Sequence, residues 1–364
     1  MTPRAPKLLR THRQTAVILE HARVTLEGGR VVYHQAEDGH RKTFNIPFAN
    51  VAVLFLGQGT SLSQPAARAL AEEGVYVAFT GTGGAPLHMG DLTHYQVTGH
   101  MWKMIEVARD PGRSLEAARI IMRSRAKAIG DLPRKIGRDL MRKPLGMRFI
   151  DKDLDRFVRK IDKAASTGEV MAQEGAFAKA VYREFAAAAG MGSFTRRPGG
   201  ARAGAGGAEH TEGAAYAAGT AGDMDESTRR ANARIDHGNY IAYGIAGSCL
   251  WSLGVPHGLS VLHGKTRAGG LVFDLADSFK DALVLPLAFA PITDEREFRQ
   301  RLIAAIQDTE ILAHCHSVMA EILALAPGGP GGLGDIGIQD ALAAYGDVLT
   351  DTPGAPLSDA DASA

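Results

Sequence analysis

Alternating hydrophobic and polar positions over roughly the first hundred residues predict a series of short β-strands. The segments AVIL, RVTLE, RVVYH, KTFNI, VAVLFL and VYVAFT are separated by turn residues, among them the hairpin dipeptides Gly28-Gly29 and Asp38-Gly39. One short helix is expected from about Pro65 to Glu73, closed by Gly74. The repeated hairpin signals predict a small, mostly antiparallel N-terminal β-domain over residues 1–95.

The hydrophobic period changes to that of an α-helix after about Tyr95. In SLEAARIIMRSRAKAI, residues 114–129, apolar side chains recur at helical spacing among basic ones, and strand signals nearly vanish further along the chain. The predicted fold class is therefore α+β, with the small antiparallel β-domain followed by a larger all-α C-terminal domain over residues 96–326.

Two segments differ in composition from the rest of the chain. Residues 196–222 are rich in Gly and Ala and have almost no large apolar side chains, so burial cannot offset the entropy of ordering them. We expect a flexible loop inserted in the helical domain there. Residues 327–364 are rich in Gly and Pro and then acidic, which indicates a loosely attached tail.

The net charge of +1 conceals an uneven distribution of charged residues. Residues 101–163 contain 18 Lys and Arg against 9 Asp and Glu, whereas no Lys or Arg follows Arg301. A local basic excess is typical of proteins that bind nucleic acid, although charged helix faces are also commonly just solvated. Charge alone leaves both interpretations open.

Cysteine content and hydropathy indicate the compartment. Cys249 and Cys315 are too few for a disulfide framework, which favours a reducing environment. No secretory signal is evident, and the longest apolar stretch, residues 282–292, contains Pro286 and Pro291. It is shorter than the roughly 20 residues that a membrane helix needs. We therefore expect a cytoplasmic protein without a membrane segment.

The segment LHGKTRAGGLVFDLADSFKD places three acids on one predicted helix. Asp274, Asp277 and Asp281 lie at i, i+3 and i+7, along one stripe. Two carboxylates about 4 Å apart repel by roughly 4 kcal/mol at an effective dielectric constant near 20, and a divalent cation would compensate that repulsion. A solvated helix N-terminus, with Lys280 pairing with Asp277, is the alternative that the local sequence leaves open.

Glu174 is a second candidate, because it lies within an apolar helical stripe of Met171, Phe177, Val181 and Phe185. A charge on the buried side of a helix is either paired or bound to a metal ion. His263 with two or three carboxylates would suit Mn²⁺ or Mg²⁺. By contrast, His314 and His316 lie two residues apart on a predicted helix, which favours two unrelated surface histidines over a metal site.

Longer segments carry a family resemblance. Two segments resemble the CRISPR-associated spacer-acquisition integrases, and their sequences are most similar to the subtype I-F branch of that family. The segments are QEGAFAKAVYREF and RRANARIDHGNYIAYGIAGSCLWSLGVPHGLSVLHGKTRAGGLVFDLADSFKDALVLPLAF. The resemblance extends over roughly Thr15 to Ala326. It implies an N-terminal β-domain that mediates dimerisation and a helical catalytic domain. It also implies that Glu174, His263 and Asp277 are catalytic residues that hold Mg²⁺ or Mn²⁺, with Asp274 as a nearby catalytic acid.

The family's function implies a set of partners. We expect a metal-dependent DNA endonuclease and integrase of CRISPR adaptation, which joins short foreign DNA fragments to the CRISPR array by transesterification and needs no ATP. The expected partners are a double-stranded DNA fragment, CRISPR repeat DNA, a second copy of the chain in a homodimer, and the second CRISPR-associated protein, which subtype I-F fuses to the helicase-nuclease. The prokaryotic cytoplasm is the expected location, with no membrane contact.

Basic side chains are expected to hold DNA phosphates with little sequence reading. Two of them follow the predicted ligand His263 closely, and the others come from the basic region: Lys265, Arg267, Arg119, Arg123, Arg125, Arg134, Lys135, Arg138, Arg142 and Lys143. Asn232 and Tyr240 are expected to have structural or DNA-positioning roles. Two other functions remain open. One is a branched-DNA nuclease of DNA repair, in which water is the only nucleophile. The other is an architectural DNA-binding scaffold whose acids merely cap helices.

Overall fold

The computed structural model describes residues 13, 15–37, 40–80, 86–89, 99–136, 143–192, 194–197, 225–263, 269–292 and 294–327. Residues 1–326 form one compact unit and residues 327–364 a second. The predicted domain boundary near residue 95, most of the predicted insertion at 196–222 and nearly all of the predicted tail lie outside the described residues, so these remain predictions.

The N-terminal part contains two four-stranded sheets. One has the order β1-β5-β7-β8 and the other the order β4-β3-β2-β6. Their strands are β1 (Thr15–Leu19), β2 (Ala22–Glu27), β3 (Arg30–Glu37), β4 (His40–Asn45), β5 (Val51–Leu56), β6 (Ser61–Leu62), β7 (Tyr76–Thr80) and β8 (Pro86–Met89).

The hairpin predictions hold in the second sheet. Strands β2 and β3 pair antiparallel up to Glu27 opposite Arg30, and the two turn residues Gly28 and Gly29 have φ angles of 55° and 73°. Only glycine adopts such angles readily, which is why this dipeptide predicts the turn. Strands β3 and β4 also pair antiparallel, in line with the second hairpin signal.

The prediction of mostly antiparallel pairing is wrong for the first sheet. Strands β1, β5 and β7 pair parallel, and only β8 joins them antiparallel. Strand β6 is also parallel to β2. Local turn signals reveal hairpins but not the pairing of strands distant in sequence. The continuous apolar run VAVLFL was the available signal, because it is typical of strands buried on both faces of a parallel sheet. The α+β class, with strands followed by helices, is confirmed.

Helices make up most of the rest of the described chain. They are α1 (Gln64–Glu72), α2 (Gly99–Arg109), α3 (Pro111–Asp131), α4 (Pro133–Ile136), α5 (Leu154–Lys163), α6 (Thr167–Ala188), α7 (Glu226–Ser252), α8 (Gly270–Asp277), α9 (Lys280–Ala288), α10 (Glu295–Asp308) and α11 (Ile311–Leu323). No helix among the described residues is both long and apolar enough for a membrane span.

Helix α7 joins the two parts of the fold. Asp225 caps its N-terminus by accepting from the Thr228 backbone N–H at 2.9 Å. Further along, the helix packs closely on β5, where a Cβ added to Gly244 would lie 2.2 Å from Cε1 of Phe55. One face of the β1-β5-β7-β8 sheet and the helical region therefore share a continuous hydrophobic core, and helices α8 and α9 pack beside α7 within it. The other face of that sheet packs with the second sheet and α1 in a separate hydrophobic cluster.

Candidate active site

Asp274 lies on helix α8, is fully buried, and binds the loop that carries His263. Its carboxylate accepts hydrogen bonds from Ser260 Oγ at 2.8 Å and from the backbone N–H groups of Val261 at 2.7 Å, Leu262 at 3.1 Å and His263 at 3.0 Å. Burial alone would raise the pKa of Asp274. The hydrogen bonds from His263 and from the backbone outweigh burial and lower the pKa below its ordinary value. The Asp274 carboxylate thus fixes the conformation of residues 260–263.

His263 is oriented by the same carboxylate. Its Nδ1 lies 2.6 Å from Asp274 Oδ1, and this acceptor assigns the proton to Nδ1. The other ring nitrogen, Nε2, lies 3.6 Å from Oδ2 of Asp277. A histidine that donates one N–H to a carboxylate while its other nitrogen remains available is the arrangement that metal-binding histidines adopt.

Asp277 ends helix α8 and is 1% exposed. Its Oδ1 forms an ion pair with the ammonium group of Lys280. This is the pairing that the sequence offered as the alternative to a bound cation. The acids also do not lie on one helix as predicted, because the chain leaves α8 after Asp277 and begins α9 at Lys280.

Glu174 belongs to a neighbouring cluster around Arg125. The guanidinium of Arg125 donates through Nη1 to Glu174 Oε1 at 2.6 Å, and through Nε and Nη2 to Asp281 Oδ2 at 2.9 and 2.5 Å. Burial raises the pKa of Asp281, but Arg125 and then Lys280 outweigh it and lower the pKa. Lys280 thus acts on both Asp277 and Asp281, so the two clusters form one charged network.

The predicted divalent cation would need several ligand side chains close together. Among the described residues, no group of three or more His, Cys, Asp and Glu side chains is arranged to hold a metal ion. His263 and Asp277 lie together, whereas Glu174 is bound to Arg125. The imidazole nitrogen and carboxylates are donors suited to Mn²⁺ or Mg²⁺. The residues therefore fit the ion chemically, and two of the three predicted ligands are already adjacent.

The prediction that Arg125 binds DNA is wrong. Its side chain is 2% exposed and both ends of its guanidinium are bound to carboxylates. The signal was present in the sequence, because Arg125 lies four residues from both Ile121 and Ile129 on the buried face of α3. Counting basic residues does not detect which of them face the core.

The other predicted phosphate-binding residues have mixed outcomes. Arg119 and Arg123 both pair with Glu116, and Arg123 also pairs with Asp162, so their charges are already matched within the protein. Arg134, Lys135 and Lys143 are exposed. The remaining four predicted residues lie outside the described part of the chain: Lys265, Arg267, Arg138 and Arg142.

Asn232 has the structural role that the sequence allowed for it. Its Oδ1 accepts from the backbone N–H of Arg197 at 2.8 Å and from Arg196 Nη1 at 2.9 Å, and its Nδ2 donates to the carbonyl of Thr195 at 3.0 Å. Asn232 thus fastens residues 195–197 to helix α7. Tyr240 packs edge-on against Tyr243.

The two histidines of helix α11 show no metal-binding arrangement in the described structure. Nε2 of His314 contacts Ser278 Oγ at 3.3 Å, and Nε2 of His316 contacts Ser252 Oγ at 3.0 Å. They are unrelated to each other, as predicted, but both are partly buried rather than on the helix surface.

Sequence comparisons give consistent matches. A family model described as CRISPR associated protein Cas1 matches residues 16–199. A protein named CRISPR-associated endonuclease Cas1 from Pectobacterium atrosepticum is 37% identical over 321 residues, which is 84% of this chain and 90% of that protein. Its namesake from Pseudomonas aeruginosa is 34% identical over 321 residues, or 84% of this chain and 91% of that protein.

Solved structures share the fold at low sequence identity. The TtCas1–DNA complex has a TM-score of 0.60 and 23% identity, covering 87% of this chain and 93% of that one. A casposase bound to integration product has a TM-score of 0.63 and 12% identity, covering 85% and 91%. A Cas6-RT-Cas1–Cas2 complex has a TM-score of 0.57 and 15% identity, covering 86% of this chain and 35% of that one.

Proposed function

The chain belongs to the CRISPR-associated Cas1 family, and from this premise we propose that it is a divalent-metal-dependent DNA endonuclease and integrase of CRISPR adaptation. Membership rests on the family match and on the relatives above 30% identity. The observation that carries the site assignment is the Asp274–His263 pair, which points Nε2 of the ring toward Asp277.

The proposed ligands of the cation are Glu174, His263 and Asp277. When bound, Mg²⁺ or Mn²⁺ would polarise the scissile phosphodiester and stabilise the charge that develops on its oxygens. Asp274 is proposed to act through His263, because it fixes the ring orientation and keeps the proton on Nδ1. Oε1 of Glu174 accepts a hydrogen bond from Nη1 of Arg125 at 2.6 Å, so Arg125 orients this proposed ligand.

The proposed reaction exchanges one phosphodiester for another. The 3′-hydroxyl of a short DNA fragment attacks a phosphorus atom of the repeat, a new P–O bond forms, and the displaced repeat strand leaves with a free 3′-hydroxyl. Because one bond of the same type is made and one broken, no ATP is consumed. The side chains of this chain contribute by positioning the phosphate and by excluding water from buried carboxylates.

The proposed partners are a double-stranded fragment, CRISPR repeat DNA, a second copy of the chain and the second CRISPR-associated protein, in a prokaryotic cytoplasm. Support comes from structural neighbours described as a DNA complex and as a Cas1–Cas2 complex. The exposed Arg134, Lys135 and Lys143 are candidates for phosphate contact, and Lys265 and Arg267 remain proposed for the same role.

The test incubates the chain and its partner protein with a short duplex and a repeat-bearing plasmid, in Mn²⁺, Mg²⁺ or EDTA. We expect joined strands with either cation, none in EDTA, and none for Asp277→Asn. Asp308→Asn, an exposed acid at the end of helix α10, is the matched control and should join normally.

Other outcomes assign other functions. Cation-dependent cleavage that yields free ends alone would favour the repair nuclease. DNA binding that EDTA leaves unchanged, with no covalent change in the DNA, would favour the architectural scaffold. Full joining by Asp277→Asn would reject the proposed site.

A further inference from the structure

The charged network around the candidate site is not neutral. It contains four carboxylates, from Glu174, Asp274, Asp277 and Asp281, and two cationic groups, from Arg125 and Lys280. The nearby guanidinium of Arg196 is paired with Asp236 and adds no net charge. The carboxylates of this network therefore outnumber its Lys and Arg side chains by two, an excess of negative charge that a divalent cation would offset.

The two cationic groups serve different carboxylates. Arg125 is 2% exposed and held by three hydrogen bonds between Glu174 and Asp281, so it is a fixed part of the core. Lys280 is 14% exposed and sits on a flexible aliphatic stem at the start of helix α9, with its ammonium on Asp277. Of the two, only Lys280 is partly exposed and can move toward solvent.

The ammonium of Lys280 contacts the same carboxylate that is proposed to bind the cation. Asp277 Oδ1 is its partner, while Oδ2 of the same carboxylate faces Nε2 of His263. A divalent ion coordinated by Asp277 and His263 would stand within a few ångströms of the ammonium, and like charges at such distances repel strongly where solvent is largely excluded.

We propose that Lys280 is a built-in competitor of the divalent cation: its ammonium neutralises Asp277 in the cation-free protein and must move away before the cation binds. This inference rests on the proposed function, because it takes His263 and Asp277 as ligands. It assigns Lys280 a positioning role that keeps affinity for free cation low. Removal of its charge should therefore strengthen cation binding, opposite to the effect of removing a ligand.

The test measures Mn²⁺ binding to the full chain without DNA, from the electron paramagnetic resonance signal of free Mn²⁺. Lys280→Met keeps the length of the side chain and removes its charge, and we expect its Kd to fall about tenfold relative to the unmodified protein. Lys280→Arg keeps the charge and should bind as weakly as the unmodified protein. Lys160→Met, at an exposed position on α5, is the matched control and should leave the Kd unchanged.

A second readout is the unfolding temperature with EDTA and with Mn²⁺. Because Lys280→Met leaves Asp277 buried without its partner, we expect a lower unfolding temperature than that of the unmodified protein in EDTA and a larger rise on adding Mn²⁺. Folding of this variant only in the presence of Mn²⁺ would also support the inference.

The outcomes separate this inference from the proposed function. An unchanged or higher Kd for Lys280→Met, with binding still abolished by His263→Ala, would overturn the inference alone. Binding that His263→Ala leaves unchanged would overturn the proposed ligand set, and the inference with it. If neither the unmodified protein nor Lys280→Met bound Mn²⁺ measurably, both the proposed ligand set and the inference would be overturned.

Discussion

Replacing Asp274 by asparagine should destabilise the protein far more than the same change at Asp277. The Asp274 carboxylate accepts five hydrogen bonds, four of them from the loop backbone and the His263 ring. An asparagine side chain has one acceptor oxygen, and its NH₂ group would face donors that it cannot satisfy. The substitution therefore leaves buried backbone N–H groups unpaired.

The magnitude follows from the number of bonds lost. Hydrogen bonds to a charged group contribute about 1.5–3 kcal/mol each, so losing at least two should lower the free energy of unfolding by about 4 kcal/mol. Asp277 accepts no backbone hydrogen bond among those described, and Lys280 still acts on Asp281 when Asp277 is neutral. Removing one carboxylate charge from a network in which carboxylates outnumber the Lys and Arg side chains also relieves repulsion. Because the partly exposed Lys280 keeps Asp281, no buried charge is left unpaired, and Asp277→Asn should change stability by about 1 kcal/mol or less.

The assay is urea unfolding in EDTA, followed by circular dichroism, so that no bound metal contributes to either value. Asp308→Asn provides the baseline for an exposed acid. Equal losses for Asp274→Asn and Asp277→Asn would refute the division of the acids into one that organises the loop and one that is proposed to bind the cation.

Three further predictions concern the core. Burial lowers the pKa of His237 to about 4. The free energy of unfolding should therefore fall by up to about 3 kcal/mol as the pH drops from about 6.5 to 4. The urea midpoint should depend less on pH in His237→Gln than in the unmodified protein. Gly244→Ala should lower the free energy of unfolding by about 1–3 kcal/mol because of the contact with Phe55, whereas Gly175→Ala, with no atom within 4 Å, should not. Arg125→Gln should lower it by about 3–5 kcal/mol because a buried carboxylate loses its partner, and a smaller loss in urea unfolding would contradict the buried ion-pair network.

Short-range features of the fold were predictable because they depend on neighbouring residues. The Gly28-Gly29 hairpin follows from the φ angles that only glycine tolerates readily. The parallel pairing of β1 with β5 was not predictable in this way, since strands β2, β3 and β4 lie between the two in sequence. Pairing at that distance is decided by packing in the shared core, which leaves no local turn signal.

In the candidate site, too, contacts between residues close in sequence were predictable and contacts between distant residues were not. His263, Asp274 and Asp277 lie within 15 residues of sequence and the structure brings them together. The guanidinium of Arg125, which arrives from a distant helix, decides where the carboxylate of Glu174 points. Charge counting assigned that arginine to DNA because composition contains no information about burial, although the helical spacing of its apolar neighbours does.

The most direct measurement is the anomalous difference map of crystals soaked in Mn²⁺. We expect one peak, within about 2.5 Å of Nε2 of His263 and of carboxylate oxygens of both Asp277 and Glu174, with the Lys280 ammonium moved away from Asp277. A map without a peak at His263 and Asp277, or with the Lys280 ammonium still on Asp277 beside an occupied site, would contradict the proposed site.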